Sequence, residues 1–222
     1  MKIVATYIIM CSLAVSCTNY RTADESGSGD GGSGVPSSIV NEKLKPVEYV
    51  AWVENEQHGL RKEKTIDDLV YTAQYRPCGY VICEEERKED LPDSLVKQKM
   101  KELDGMQYIS LKIGLKSAQG ELLKYKLSST KEYQERVNYF SFGMQKDIQL
   151  IQGGDTLQCA LFHFERIYDV APNGTFLLGF PIGKHPDYDR TLILFDHGFG
   201  KGIVKFFFDA RDIKNLPQVE TI

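Results

Sequence analysis

After residue 16 this chain has no apolar run long enough to cross a bilayer as a helix, which takes about 20 residues. No membrane-spanning helix is therefore expected beyond that point. Excess positive charge is missing too. Lys and Arg number 27 against 31 Asp and Glu, and the formal net charge is −4. A mildly acidic chain is not built to grip nucleic acid or anionic lipid by charge. Cysteine is scarce, at five, and tryptophan occurs once. No internal repeat is present. No GxSxG elbow or GxxxxGK[ST] loop occurs, and the spacing GxGxxG falls only in the Gly/Ser-rich stretch 27–34, without the strand and helix that a nucleotide site needs. Gly198-Phe199-Gly200-Lys201-Gly202 is glycine-rich, but it leads into a strand and offers no helix N-terminus to a phosphate.

What is present begins at the N-terminus. Lys2 is followed by an uncharged stretch, Ile3 to Ser16, carrying Ile8, Ile9, Met10, Leu13 and Val15. Its length fits a cleaved signal core of roughly 7–15 apolar residues. The stretch closes with Leu13-Ala14-Val15-Ser16-Cys17. This segment resembles the bacterial lipobox: Cys17 matches the invariant cysteine, Ser16 the small residue before it, and Val15 an accepted type. Ala14 stands where leucine is usual, and Leu13 lies one place early. Cys11 follows side chains too large for such a site. The resemblance covers only the first twenty or so residues. It implies a signal peptide over 1–16, acylation of Cys17, and anchoring of the mature chain to a membrane through that lipid. Thr18 is not the aspartate that commonly retains lipoproteins in the inner membrane, so the resemblance favours the outer membrane, with either face open. Cleavage removes Lys2 and takes the formal charge from −4 to −5.

Residues 17–38 then form a Gly/Ser/Asp-rich stretch. Large apolar groups are nearly absent, and such a segment cannot bury enough surface to offset its ordering entropy. It is expected to act as a flexible tether with a span of about 5–6 Å times the square root of its length.

Residues 39–222 suffice for a single β-rich domain with its own core. Hydrophobic content of 42% and charged content of 26% are ordinary globular values, and 12 Tyr and 11 Phe favour strands. Strands are predicted over 69–75, 106–115, 157–170, 175–180, 190–196 and 202–209 from alternation and from turn residues such as Asn173-Gly174. Residues 149–151 read as a further short strand ending at Gly153-Gly154. Glu121 to Leu127 is expected to return beside 106–115 as a hairpin. Pro92 to Leu103 has helical spacing and stops at Gly105. Residues 46–53 and 79–83 fit a strand or a helix, and Ser129 could cap a helix from Thr130. The sum is a mainly β (α+β) fold, a β-sandwich or open barrel-like set of antiparallel sheets with one or two helical insertions.

Candidate chemistry is sparse. His163 and Glu165 fall two apart on a predicted strand, where they would share a face as an acid–base pair or as a polar rim. His185, Asp187, Asp189, Asp196 and His197 are the densest potential metal ligands, though turns favour the same residue types for backbone reasons. Cys78, Cys83 and Cys159 fit no zinc spacing. They are buried thiols, or Cys83 pairs with Cys159 in an oxidising compartment. Asp93-Ser94-Leu95 and Asp155-Thr156-Leu157 resemble the O-glycosylation triplet of some exported bacterial proteins. Trp52, Tyr71, Tyr75 and Tyr80 could offer an aromatic platform for a glycan or peptide. No cofactor or metal is expected. The reading is a lipid-anchored envelope protein that binds or scaffolds an envelope protein or glycan. The alternatives are a cell-envelope hydrolase using His163/Glu165 or the His185–His197 loops, and a subunit of an outer-membrane complex.

Overall fold

The computed structural model describes residues 42–165 and 172–222. In chain order the elements are β1 (Lys43–Leu44), α1 (Pro46–Glu54), β2 (Arg61–Ile66), β3 (Leu69–Arg76), α2 (Cys78–Glu86), α3 (Asp93–Glu102), β4 (Met106–Leu115), α4 (Thr130–Asn138), β5 (Ile148–Gln152), β6 (Asp155–Gln158), β7 (Leu161–Glu165), β8 (Asn173–Pro181), β9 (Arg190–Asp196), β10 (Gly202–Phe208), α5 (Ala210–Lys214) and β11 (Gln218–Val219). Five strands form an antiparallel sheet in the order β2-β3-β4-β8-β7. Four more form a second antiparallel sheet, β10-β9-β5-β6. A short parallel pair, β1 with β11, ties the start of the described chain to its end.

The alternation of the strands explains the stacking. Tyr71, Ala73 and Tyr75 of β3, Ile109, Leu111 and Ile113 of β4, and Phe176 and Leu178 of β8 are buried on one face of the five-stranded sheet. Ile148 and Leu150 of β5, Leu192 and Leu194 of β9, and Val204, Phe206 and Phe208 of β10 are buried on one face of the other. The two faces belong to one core. Tyr75 and Phe208 meet across it with ring centroids 5.9 Å apart. The result is two antiparallel sheets stacked face to face, as alternation predicts, and no closed barrel.

Five α-helices surround this core, more than the one or two expected. Residues 46–54 are helical because Pro46 suits the first helical position and because Pro46, Tyr49 and Val53 all fall on the buried side. Residues 78–86 are helical as well, and Gly79 lets α2 come close to α1: a Cβ there would stand 3.2 Å from the Tyr49 hydroxyl. Ser129 does cap α4, its Oγ accepting from the Glu132 amide at 3.2 Å.

Two strand expectations fail. Glu121 to Leu127 is no hairpin partner, since β4 lies between β3 and β8. Consecutive Leu122 and Leu123 are both buried, which a two-residue period cannot satisfy, and they form a 3-10 turn instead. The run from Leu157 breaks at Cys159-Ala160, and β6 joins the four-stranded sheet while β7 joins the other. Its remainder, 166–170, lies outside the described residues. β2, Arg-Lys-Glu-Lys-Thr-Ile, has too little apolar alternation to be read as a strand, and it sits at a sheet edge.

Candidate functional site

The histidine–carboxylate candidates disperse in the fold. His163 and Glu165 do share a face of the edge strand β7, opposite Leu177 and Thr175 of β8. Both are exposed, and Leu161 lies exposed beside them rather than in the core. Only Phe162 and Phe164 turn inward onto the core. His163 and Glu165 are a polar rim on an open surface.

The loop before β9 is an arginine clamp. Arg190 is buried and donates from Nη1 to the Tyr188 carbonyl at 2.9 Å, from Nη2 to the Pro186 carbonyl at 2.9 Å, and from Nε to Gln107 Oε1 at 2.8 Å. Gln152 donates to the His185 carbonyl at 3.2 Å. Asp189 accepts from the Ala210 amide at the start of α5, and Asp187 pairs with Lys214. The loop's carbonyls and carboxylates are thus committed to holding the chain. Arg190 and Asp196 mark the two ends of β9, about 20 Å apart at ~3.3 Å per residue, and His185 belongs to the loop before Arg190. Among the described residues no group of three His, Cys, Asp or Glu converges on a point that could hold a metal ion.

Asp196 and His197 go separate ways. Asp196 is buried between the sheets and accepts from the Tyr71 hydroxyl at 2.5 Å and the Phe199 amide at 2.9 Å. Burial first, and the neighbouring carboxylate second, push the Tyr71 phenol far above its usual range, so it remains a donor. His197 lies outside, its Nδ1 3.0 Å from Asp147 Oδ2, which also accepts from Tyr139 at 2.9 Å. Tyr139 and His197, with Glu132, Glu135 and Arg136, line a shallow open groove. Arg136 is fixed by the Leu123 and Tyr125 carbonyls at 3.2 and 2.6 Å and lies over the Phe199 ring.

Cys78, Cys83 and Cys159 are free thiols, so the proposed Cys83–Cys159 pairing is not made. Burial pushes the Cys83 and Cys159 thiols up to about 11, opposite to what a thiolate nucleophile needs. The aromatic platform also dissolves. Tyr71, Tyr75 and Tyr80 are buried, and Trp52 stacks on His58 with centroids 3.9 Å apart. Ser94 and Thr156 of the two triplets are exposed. Asp93 is the first residue of α3 and pairs with Lys97, while Pro92 occupies the cap position. Cys17 lies outside the described residues.

A surface that the motifs did not point to stands out instead. The outward face of the four-stranded sheet carries Ile203, Lys205 and Phe207 from β10, Thr191, Ile193 and Phe195 from β9, Gln149 and Ile151 from β5, and Thr156 and Gln158 from β6. Register places Ile203 beside Phe195, and Lys205 beside Ile193. It also lines up Phe207, Thr191, Ile151 and Thr156 in one row. Ile203 and Phe207 are 56% and 52% exposed. Among the described residues, none of the five large apolar side chains on this face, Ile151, Ile193, Phe195, Ile203 and Phe207, belongs to the core or packs against it. One row on the other sheet is polar throughout: Glu63, Thr72, Lys112, Thr175 and Glu165 lie side by side. The signal was in the sequence. Leu192 to Phe195 and Phe206 to Phe208 are unbroken apolar runs, the pattern of strands covered on both faces.

Comparison of the chain with protein-family models, with curated proteins and with solved structures finds no match.

Proposed function

We propose that this chain is a lipid-anchored lipoprotein of the outer membrane, tethered through Cys17, whose β-rich domain binds or scaffolds another envelope component through the outward face of its four-stranded sheet. The observation that carries the reading is the apolar row structure of that face. An antiparallel sheet with one solvated side normally alternates apolar-in with polar-out. Five large apolar residues on one sheet face that pack against no core among the described residues, two of them more than half exposed, mark a site of association. Fully burying a Phe or Ile side chain is worth roughly 1.5–3 kcal/mol, so the half-exposed Ile203 and Phe207 offer a partner about 1 kcal/mol each. The hydrolase alternative has less support, because the loop before β9 is engaged in the arginine clamp and His163 and Glu165 stand on an open rim.

The test is co-purification from detergent-solubilised membranes. Ile203→Ser/Phe207→Ser should lose proteins that the wild type and a Leu161→Ser/His163→Ser control retain. Equal recovery from all three would overturn the docking role. The anchor is tested separately: a fatty-acid probe should label the wild type and not Cys17→Ser.

A further inference from the structure

The same sheet ends in an open edge. β10 pairs with β9 on one side, and no backbone hydrogen bond crosses its other side among the described residues. Along that edge Ile203, Lys205 and Phe207 point outward. On the inner side, β2 of the other sheet brings up Lys62 and Lys64. Their register partners, Ala73 and Tyr71, face the core, so both lysines project toward the gap between the sheets. Lys64 Nζ stands 5.9 Å from the centroid of Phe206. Lys62, Lys64 and Lys205 form no ion pair among the described residues. The nearby carboxylates are already engaged: Asp67 pairs with Lys201, and Asp209 with Arg211. Glu63 points from the opposite face of β2. An otherwise acidic chain therefore presents three lysines without an ion pair along one unpaired strand edge, Lys62 being the one that feels a carboxylate, that of Asp209.

We propose that β10 accepts an extended segment of another protein as an added strand, and that this segment alternates apolar with acidic residues. Main-chain hydrogen bonds to β10 would supply the docking, and side-chain pockets the selection. Apolar side chains of the segment would continue the outward face beside Ile203 and Phe207. Carboxylates would turn inward to Lys62 and Lys64, with Lys205 reaching over from the outward face. A second copy of this chain is the wrong occupant, because its β10 brings a further lysine, Lys205, and no carboxylate to meet these cations. This inference rests on the docking role of the sheet's outward face.

The probe is an eight-residue peptide alternating Val and Glu, titrated against the full-length chain in detergent by fluorescence anisotropy. Three comparisons decide. A Val/Lys peptide should bind at least tenfold more weakly. A Val/Glu peptide N-methylated at every second amide, made in both phases, should lose at least tenfold in one phase and little in the other. The variant Lys62→Glu/Lys64→Glu/Lys205→Glu should reverse the preference between the Glu and Lys peptides. Binding that ignores both methylation phases but falls in Phe207→Ser would overturn strand addition while leaving the docking face intact. Binding indifferent to Phe207→Ser as well would overturn both. Absence of binding by either peptide, or concentration-dependent self-association abolished by the triple variant, would also overturn the proposal.

Discussion

Tyr71→Phe is a sensitive test of how the two sheets are joined. The phenol donates at 2.5 Å to Asp196 from a fully buried position, and Asp196 itself is only 3% exposed. Removing the hydroxyl leaves the ring in place, so no large cavity opens. What is lost is a hydrogen bond to a buried carboxylate, and bonds of that kind contribute about 1.5–3 kcal/mol. One oxygen of Asp196 keeps the Phe199 amide, and the other is left without its partner. The expected destabilisation is about 2–3 kcal/mol. In a domain of this size that corresponds to roughly 5–10 °C in Tm. Urea unfolding of the full chain, followed through its single tryptophan, Trp52, reads it directly. The companion variant Asp196→Asn keeps an acceptor but removes the charge, and should cost less. The double variant should then show a coupling of about 1–2 kcal/mol between the positions. A Tyr71→Phe effect below about 0.5 kcal/mol, which is the ordinary range for surface positions, or a coupling near zero, would refute the reasoning.

Further outcomes follow from the same buried groups. Tyr49, Tyr71 and Tyr80 are all buried, and burial raises each phenol well above its ordinary value of about 10. Folded-state values above the unfolded one give stability that is complete below pH 10 and is lost as the pH rises beyond it. At pH 11 each such tyrosine withdraws about 1.4 kcal/mol, so urea midpoints should fall steeply between pH 10 and 11 while tyrosinate absorbance appears only with unfolding. Arg190→Met should destabilise by about 3 kcal/mol, because it strands Gln107 and the Pro186 and Tyr188 carbonyls, and hydrogen exchange should rise in residues 182–189 before the rest.

Most of the sheet architecture was legible because β4, β8 and β9 place buried and less buried residues alternately, and a period of two is hard to mistake. The helices near residues 46 and 79 were ambiguous because each is only nine residues long, and α2 begins with a fully apolar turn, Gly79 to Cys83, that suits a buried strand equally well. β2 was hidden because its edge position and its lysines leave no apolar period. The site was less legible. Histidines and aspartates drew notice by their density, yet their positions reflect turn geometry and the clamp on Arg190. The apolar runs Leu192–Phe195 and Phe206–Phe208 signal strands with two apolar faces, but the face itself takes shape only once register sets Ile203 beside Phe195 and Phe207 in line with Ile151. Residues from three strands compose it, and no local spacing connects them.

The docking face is tested most directly by site-specific photocrosslinking in intact cells. A photoreactive residue at position 207, on the outward face of the four-stranded sheet, should yield a discrete crosslinked species. The same residue at position 163, exposed on the other sheet, should not. Equal crosslinking at the two positions, or none at 207, would contradict the account.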